Sequence, residues 1–262
     1  MTRRAPTPAP TTVLDRLWRV TEGERTHLFT QSLAVPPSLY GERVLHRGER
    51  AFRHFDPFRS KLAAALIRSP RLTPPRPGER WLYLGAAGGT TASHVADLTA
   101  PTGEVFAIER SPRPGLRLLE IANRLPGLFP ILADARRPEE YRELVPLVDG
   151  LYADVSQPDQ AAIVKENARL HLRDGGRFLF VLKLSSLSRD ASPEENLGRV
   201  ERELQPLLHV QERINLLPFH RAHVLLVGTS SGRATAAART NRPPVRSPTR
   251  ARRPAARVIR RR

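Results

Sequence analysis

From Arg80 to Gly228, short apolar runs alternate with longer segments whose apolar residues recur at helical spacing. Runs at 81–84, 104–109, 129–134, 150–154 and 177–183 read as strands. Segments at 90–98, about 116–124, about 138–145 and 158–172 read as the helices between and after them. Asp174-Gly175-Gly176 marks the turn before the fifth strand. A helix near 193–204 and two strands, about 210–217 and 222–228, complete the series. This alternation predicts an α/β fold with a mostly parallel sheet covered on both faces. Ligands of such sheets sit at the carboxyl ends of the strands. Here four strands end in Gly or an acid.

The pattern before residue 80 is different. From about 24 to 55, short mixed segments are punctuated by Pro36, Pro37, Gly41 and Gly48 and show no helical period. They predict a small β-rich unit. A helix is expected over 58–67, capped by Ser60, with Leu62, Leu66 and Ile67 on its apolar face. Residues 1–22 open on a Thr/Pro/Arg-rich stretch, and 231–262 hold Arg, Ala, Pro, Thr and Ser with almost nothing apolar. Both are expected to be disordered. The chain therefore divides into an extension (1–22), a β-rich domain (23–57), an α/β domain (58–230) and a basic tail (231–262).

Composition narrows the function classes. The 262 residues are 40% hydrophobic, enough for one large domain and a small one. The absence of cysteine excludes disulfides, cysteine-based zinc sites, iron–sulfur clusters and thiol nucleophiles. No apolar run approaches a membrane span or a signal peptide, so a soluble intracellular protein, cytoplasmic by default and without a membrane partner, is expected. The net charge is +17, and the eleven Arg of 231–262, with no acid among them, supply most of it. A polyanion is the natural partner, nucleic acid first, with the tail as an RNA-binding arm. Only Lys61, Lys165 and Lys183 are lysines among the 43 basic residues. A lysine kept in so Arg-rich a chain suggests a need for an amine that can lose its proton.

The loop after the first α/β strand reads Gly85-Ala86-Ala87-Gly88-Gly89-Thr90-Thr91. Small residues there let a ligand approach the backbone at a helix N-terminus. Alone, such a loop suits NAD, FAD or S-adenosylmethionine, and strict dinucleotide spacing is absent. Glu109 ends the second strand, where a carboxylate can accept hydrogen bonds from ribose hydroxyls. Asp134 ends the third, placed for an adenine amino group, and Asp154 ends the fourth. Gly, Glu, Asp and Asp at consecutive strand ends suit an adenosine-containing cofactor with a cationic centre.

The segment Tyr83-Leu-Gly-Ala-Ala-Gly-Gly-Thr-Thr-Ala-Ser-His-Val-Ala-Asp97 resembles the signature of the fibrillarin family of RNA ribose 2′-O-methyltransferases. So do Asp56-Pro-Phe-Arg-Ser-Lys-Leu-Ala-Ala-Ala65, Asp134-Ala-Arg-Arg-Pro138 and Tyr152-Ala-Asp-Val-Ser-Gln-Pro-Asp-Gln160. The resemblance runs from about Leu28 to Gly228. It implies a class I S-adenosylmethionine-dependent methyltransferase fold, Rossmann-like and seven-stranded, behind a small β-rich domain. It implies S-adenosylmethionine as cofactor, lined by Thr90, Thr91, Glu109, Arg110, Asp134, Ala135, Asp154 and Gln157 beside the Gly85, Ala86 and Ala87 loop. It also implies a Lys-Asp-Lys-His set, which falls on Lys61, Asp154, Lys183 and His223. In that reading Lys183 takes the proton of the 2′-hydroxyl, Asp154 orients Lys183, and Lys61 and His223 hold the nucleotide. The implied partners are rRNA or tRNA, a guide RNA and a scaffold protein of the Nop5/Nop56/58 type, and the compartment would be nucleolar in a eukaryote. Departures are Gly88, where the family usually has Ser, and a basic arm at the C-terminus rather than the N-terminus.

Other readings remain open at this level: a protein (glutamine) methyltransferase, a non-catalytic RNA-binding or scaffold protein, and, more distantly, a dinucleotide oxidoreductase. No metal site is expected, because His220 and His223, three residues apart on a strand, would face opposite sides. Lys165 reads as a solvated helix residue.

Overall fold

Central strands buried along nearly their whole length, flanked by more exposed edge strands, build the larger of two sheets. A computed structural model describes residues 11–14, 16–22, 25–187 and 191–231 of the chain. The large sheet contains β6 (Arg80–Leu84), β7 (Glu104–Glu109), β8 (Leu128–Leu132), β9 (Val148–Ala153), β10 (Leu172–Lys183), β11 (Leu208–Asn215) and β12 (His223–Ser230). Their order is β11-β12-β10-β9-β6-β7-β8. β6 to β10 pair in parallel, and β12 runs antiparallel to both β10 and β11.

Successive side chains point to opposite faces of a strand, and the two cores follow that rule. Trp81 and Tyr83 of β6 lie in one core with Val105, Ala107, Tyr152, Leu179 and Val181. Helices α1 (Lys61–Arg68), α2 (Thr90–Thr99) and α3 (Pro112–Ala122) cover that face. Leu82 and Leu84 lie in the other core with Phe106, Ile108, Leu151, Phe178 and Phe180. Helices α4 (Gln160–His171) and α5 (Pro193–Leu204) cover that side. As expected, Ser60 caps α1, its hydroxyl accepting from the Ala63 N–H at 3.3 Å. Among the described residues no helix is long and apolar enough to cross a membrane.

The small sheet is antiparallel, in the order β1-β2-β3-β5-β4. Its strands are β1 (Thr11–Leu14), β2 (Leu17–Glu22), β3 (Arg25–Gln31), β4 (Val44–Arg47) and β5 (Arg50–His54). Two of these lie where the sequence predicts an extension over 1–22. Burial explains the difference, since Leu17 and Val20 are almost fully enclosed. The predicted disorder of 231–262 concerns, beyond Ser231, residues outside those described.

Three further expectations change. The helix near 138–145 is a single 3₁₀ turn, Pro138–Tyr141. Pro146 biases Val145 away from helical backbone, and the Tyr141 hydroxyl is drawn onto Asn167 of α4. The predicted helix over 158–172 begins at Gln160. β10 begins at Leu172 and takes in the predicted turn as an irregularity, with its register against β9 shifting between Leu172 and Arg177.

A buried polar network seats the small sheet on α2. Asp97 Oδ2 accepts from Arg53 Nε (3.0 Å), Arg53 Nη2 (2.8 Å) and the Thr30 hydroxyl (2.8 Å). Arg53 Nη1 also donates to Glu42 at 2.7 Å. His94 completes the network between Thr30 (2.7 Å) and the Tyr40 hydroxyl (2.5 Å).

Candidate active site

The strand order reverses about β6, with β7 and β8 on one side and β9 and β10 on the other. A crevice forms at the carboxyl ends of strands at such a point. Gly85, just past β6, has φ +76, and a Cβ there would lie 2.5 Å from the Asp154 carbonyl oxygen. Only glycine lets these two strand ends close on each other. Ala87 takes a left-handed φ of +47, and its N–H donates to Glu109 Oε2 at 2.8 Å. Glu109 Oε1 accepts from the Ser111 N–H at 2.7 Å. One buried carboxylate therefore braces both the glycine-rich loop and the start of α3. Gly89 caps α2 at φ +82, with Leu118 where a side chain would go.

The result is a cavity of about 400 Å³, within the range of small-molecule sites. It is lined by Gly85, Ala87, Ile108, Glu109, Arg110, Ser111, Ala133, Asp134, Ala135, Asp154, Val155, Ser156 and Gln157. Eight of the eleven expected cofactor residues are brought together here. Three are not among the lining. Ala86 is packed into the core, Thr91 is buried with its hydroxyl donating to Ser60 (3.0 Å), and Thr90 opens α2. Ile108, Ser111, Ala133, Val155 and Ser156 were not anticipated, though each flanks a residue that was. Arg110 and Asp134 face each other at 3.5 Å. Gln157 Oε1 is buried without a hydrogen-bond partner among the described residues, a polar atom left for a ligand to satisfy.

At one end of this cavity Asp154 meets Lys61, with Nζ donating to Oδ2 at 2.6 Å. Lys61 is the first residue of α1, where the helix dipole disfavours a cation. Its ion pair draws it to the strand ends. Asp154 thus holds Lys61, whereas the sequence reading has it orienting Lys183. Lys183 ends β10, its backbone N–H and C=O bonded to the Gln160 side chain at 3.2 and 3.4 Å. Its Nζ has no hydrogen-bond or ion-pair partner among the described residues.

His223 lies directly across the ladder from Lys183. Its Nδ1 lies 2.7 Å from the Arg221 carbonyl. Nδ1–H donates there, which leaves Nε2 as the acceptor in the neutral ring. Burial holds its pKa below the usual range against the Arg221 carbonyl and the Asp154 carboxylate, and Lys61 and Lys183 push the same way as burial. One imidazole therefore feels all three other members of the set. His220 is not on a strand, because β12 begins at His223. The two rings stand 6.1 Å apart, and His220 Nε2 bonds the Pro57 carbonyl at 2.8 Å. Lys165 is not merely solvated, as it donates to the carbonyls of Glu203 in the last turn of α5 and of Gln205 just past it.

The doubly wound sheet with a carboxylate-lined crevice at its switch point defines a class I methyltransferase fold. A family model described as Fibrillarin matches residues 10–232. The chain belongs to the fibrillarin family. It is 43% identical over 214 residues to the rRNA 2′-O-methyltransferase fibrillarin of Giardia intestinalis, a match covering 80% of this chain and 65% of that one. The crystal structure of Aeropyrum pernix fibrillarin with natively bound S-adenosyl-L-methionine superposes with a TM-score of 0.76 at 39% identity, covering 84% and 99% of the two chains. The fibrillarin chain of a fibrillarin/Nop5p complex gives 0.71 at 36% identity, covering 78% and 94%. The chain thus spans just under two thirds of the Giardia protein's length.

Proposed function

We propose that this chain transfers a methyl group from S-adenosylmethionine to ribose 2′-hydroxyls of RNA, with ribosomal RNA as the first substrate. The observation that carries this reading is the meeting of Lys61, Asp154, Lys183 and His223 at one end of the crevice. The crevice fits the cofactor. Glu109, Asp134 and Asp154 suit its hydroxyls, amino groups and positive centre, Gly85 admits it close to the strand ends, and Gln157 Oε1 awaits a donor. When bound, S-adenosylmethionine supplies an electrophilic methyl on a sulfonium.

The chain's own residues then do three things. Lys183, whose side chain has no hydrogen-bond or ion-pair partner among the described residues, accepts as the neutral amine the proton of the attacking 2′-hydroxyl. Asp154 fixes the Lys61 ammonium, which together with neutral His223 holds the nucleotide for in-line attack. His223 Nε2 presents an acceptor, since Nδ1–H is already committed to Arg221. The Giardia relative's rRNA activity, the cofactor bound in the A. pernix structure and the Nop5p complex each support a part of this reading. A Nop5-type scaffold and a guide RNA would set the target, inside the cell where RNA is matured, and the basic arm at 231–262 would add sequence-independent affinity.

The test is methyl transfer from labelled S-adenosylmethionine to total cellular RNA, with and without partner fractions, followed by nucleoside analysis. Label in 2′-O-methylnucleosides is expected. Label in protein alone, or none with the cofactor bound, overturns the reading.

A further inference from the structure

The ladder between β9 and β10 runs out before Lys183. Its last pair is Ala153 with Phe180. The next residue, Asp154, turns its N–H to the Leu84 carbonyl of β6 at 3.0 Å. Beyond Phe180, β10 keeps a strand only on its other side, where Lys183 lies across from His223. The bonds around that pair point outward. The His223 carbonyl accepts from the Leu216 N–H at 3.2 Å, and it is the Leu184 N–H that reaches Ala222, at 3.0 Å. Lys183 and His223 are thus a non-hydrogen-bonded pair, which turns the Lys183 N–H and C=O toward the side that β9 has left.

Gln160 fills that side. It is the first residue of α4 and is fully buried. Its Oε1 accepts from the Lys183 N–H at 3.2 Å, and its Nε2 donates to the Lys183 carbonyl at 3.4 Å. One carboxamide does for Lys183 what a strand backbone does elsewhere in the sheet. Its neighbours Ala161, Ile163 and Val164 are the apolar residues expected of a helix packed on a sheet. A buried amide among them is costly unless it is bonded, and both of its bonds among the described residues go to Lys183.

We propose that Gln160 is a positioning residue for methyl transfer, fixing the backbone of Lys183 so that its amine meets the 2′-hydroxyl. The proposal rests on the reading of Lys183 as proton acceptor and adds what holds that lysine in place. Only the backbone of Lys183 is hydrogen-bonded among the described residues, so the reach of its long, flexible stem is set by where that backbone sits. A misplacement of about 1 Å can cost about 10²-fold in rate. The stretch from Asp154 to Gln160 also carries Gln157 of the cofactor cavity. One short segment therefore sets the carboxylate that holds Lys61, a wall of the cavity and the backbone of Lys183.

The test is single-turnover methyl transfer by the full chain, with the RNA and partner fractions of the assay above. Gln160→Met keeps the length of the side chain and loses both bonds. Gln160→Asn keeps the carboxamide one methylene short of Lys183. In both variants the rate at saturating cofactor should fall about 10²-fold, with cofactor and RNA affinities within about threefold of the unsubstituted chain. In a Lys183→Met background, either substitution should lower the residual rate less than about twofold, because Gln160 acts only through the lysine. General damage to the site would multiply the two losses, and that result overturns the proposal. So does a loss of cofactor affinity that matches the loss of rate. Should Gln160→Met not melt as a folded protein, Gln160→Asn carries the same comparison. Normal turnover of Lys183→Met strikes the proton-acceptor reading and the proposal with it. Normal turnover of the Gln160 variants beside a slow Lys183→Met strikes the proposal alone.

Discussion

Asp154→Asn separates the chemistry of the site from its stability. The substitution keeps the shape of the side chain and removes its charge. The Lys61–Asp154 pair is 2.6 Å long, with side chains about a fifth exposed. A surface pair contributes about 0–1 kcal/mol, and breaking a fully buried one costs about 3–5 kcal/mol. This mostly enclosed pair should fall between, so the expected loss of stability is about 1–2 kcal/mol. Turnover should suffer far more. Asp154 is the only hydrogen-bond and ion-pair partner of Lys61 among the described residues. Losing a preorganised charge of this kind costs about 10²–10³ in rate, or about 2.7–4 kcal/mol.

The assay pairs urea denaturation with single-turnover methyl transfer at saturating cofactor. A double-mutant cycle with Lys61→Met sharpens it. If the two residues act as a unit, both single variants and the double variant should lose similar rates. Rates that fall by the product of the single losses would show independent action. Turnover of Asp154→Asn within about threefold of the unsubstituted chain would refute the catalytic role of the pair outright.

Lys183→Arg should leave cofactor affinity unchanged and lower turnover about 10²–10⁴-fold, because a guanidinium cannot accept the proton; normal single-turnover rates would assign the proton elsewhere. Asp97→Asn should cost about 1–3 kcal/mol in urea denaturation, since it weakens the bonds of buried Arg53 Nε and Nη2 and leaves Glu42 as its counter-charge. The pKa of buried His94 is held well below its usual value by desolvation, helped by Arg53, His54 and Arg59. Its unfolded form therefore binds a proton first as pH falls, and its contribution to stability is full above about pH 6.5 and falls by up to about 1.4 kcal/mol per pH unit below it; His94→Gln should flatten that slope in melts at different pH. Removing 231–262, with its eleven Arg, should weaken RNA binding and reduce the slope of log affinity against log salt.

Legibility of the fold followed burial. Strands enclosed on both faces, such as β6, β7 and β9, leave apolar runs that few other structures explain, and the strand-end acids came with them. β1 and β2 are not legible because a Pro-rich opening precedes two short strands that pair with each other and, through β2, with β3. The turn at Pro138–Tyr141 was misread as a helix because its acidic, evenly spaced residues imitate an amphipathic face, while the decisive bond from Tyr141 to Asn167 is long-range. In the cavity, most lining residues were legible and the pairings were not. Asp154 could be placed at the end of β9 from its motif, but its choice of Lys61 over Lys183 depends on where α1 meets the sheet. Thr91 shows the same limit. It lies in the expected motif, yet its hydroxyl bonds Ser60 at the start of α1 instead of facing the cavity.

That bond, with the Arg53–Asp97 network, explains how a lysine from outside the sheet is held at its strand ends. α2 starts at the glycine-rich loop, and its buried Ser93, His94 and Asp97 reach Arg53, Thr30 and Tyr40 of the small sheet and the chain around it. Thr91 ties the same helix to the cap of α1, and Lys61 is the residue after that cap. The loop that shapes the cavity and Lys61 are therefore fixed to one helix from two sides. Apolar contacts alone could join these elements with similar stability, since burying charge carries a desolvation cost that an ion pair only offsets. A charged network tolerates fewer alternative registers, because each shift would leave a buried donor or acceptor unpaired. Placing Lys61 within 2.6 Å of Asp154 requires such a fixed register, which is why α2 carries polar groups where a helix packed on a sheet would ordinarily be apolar.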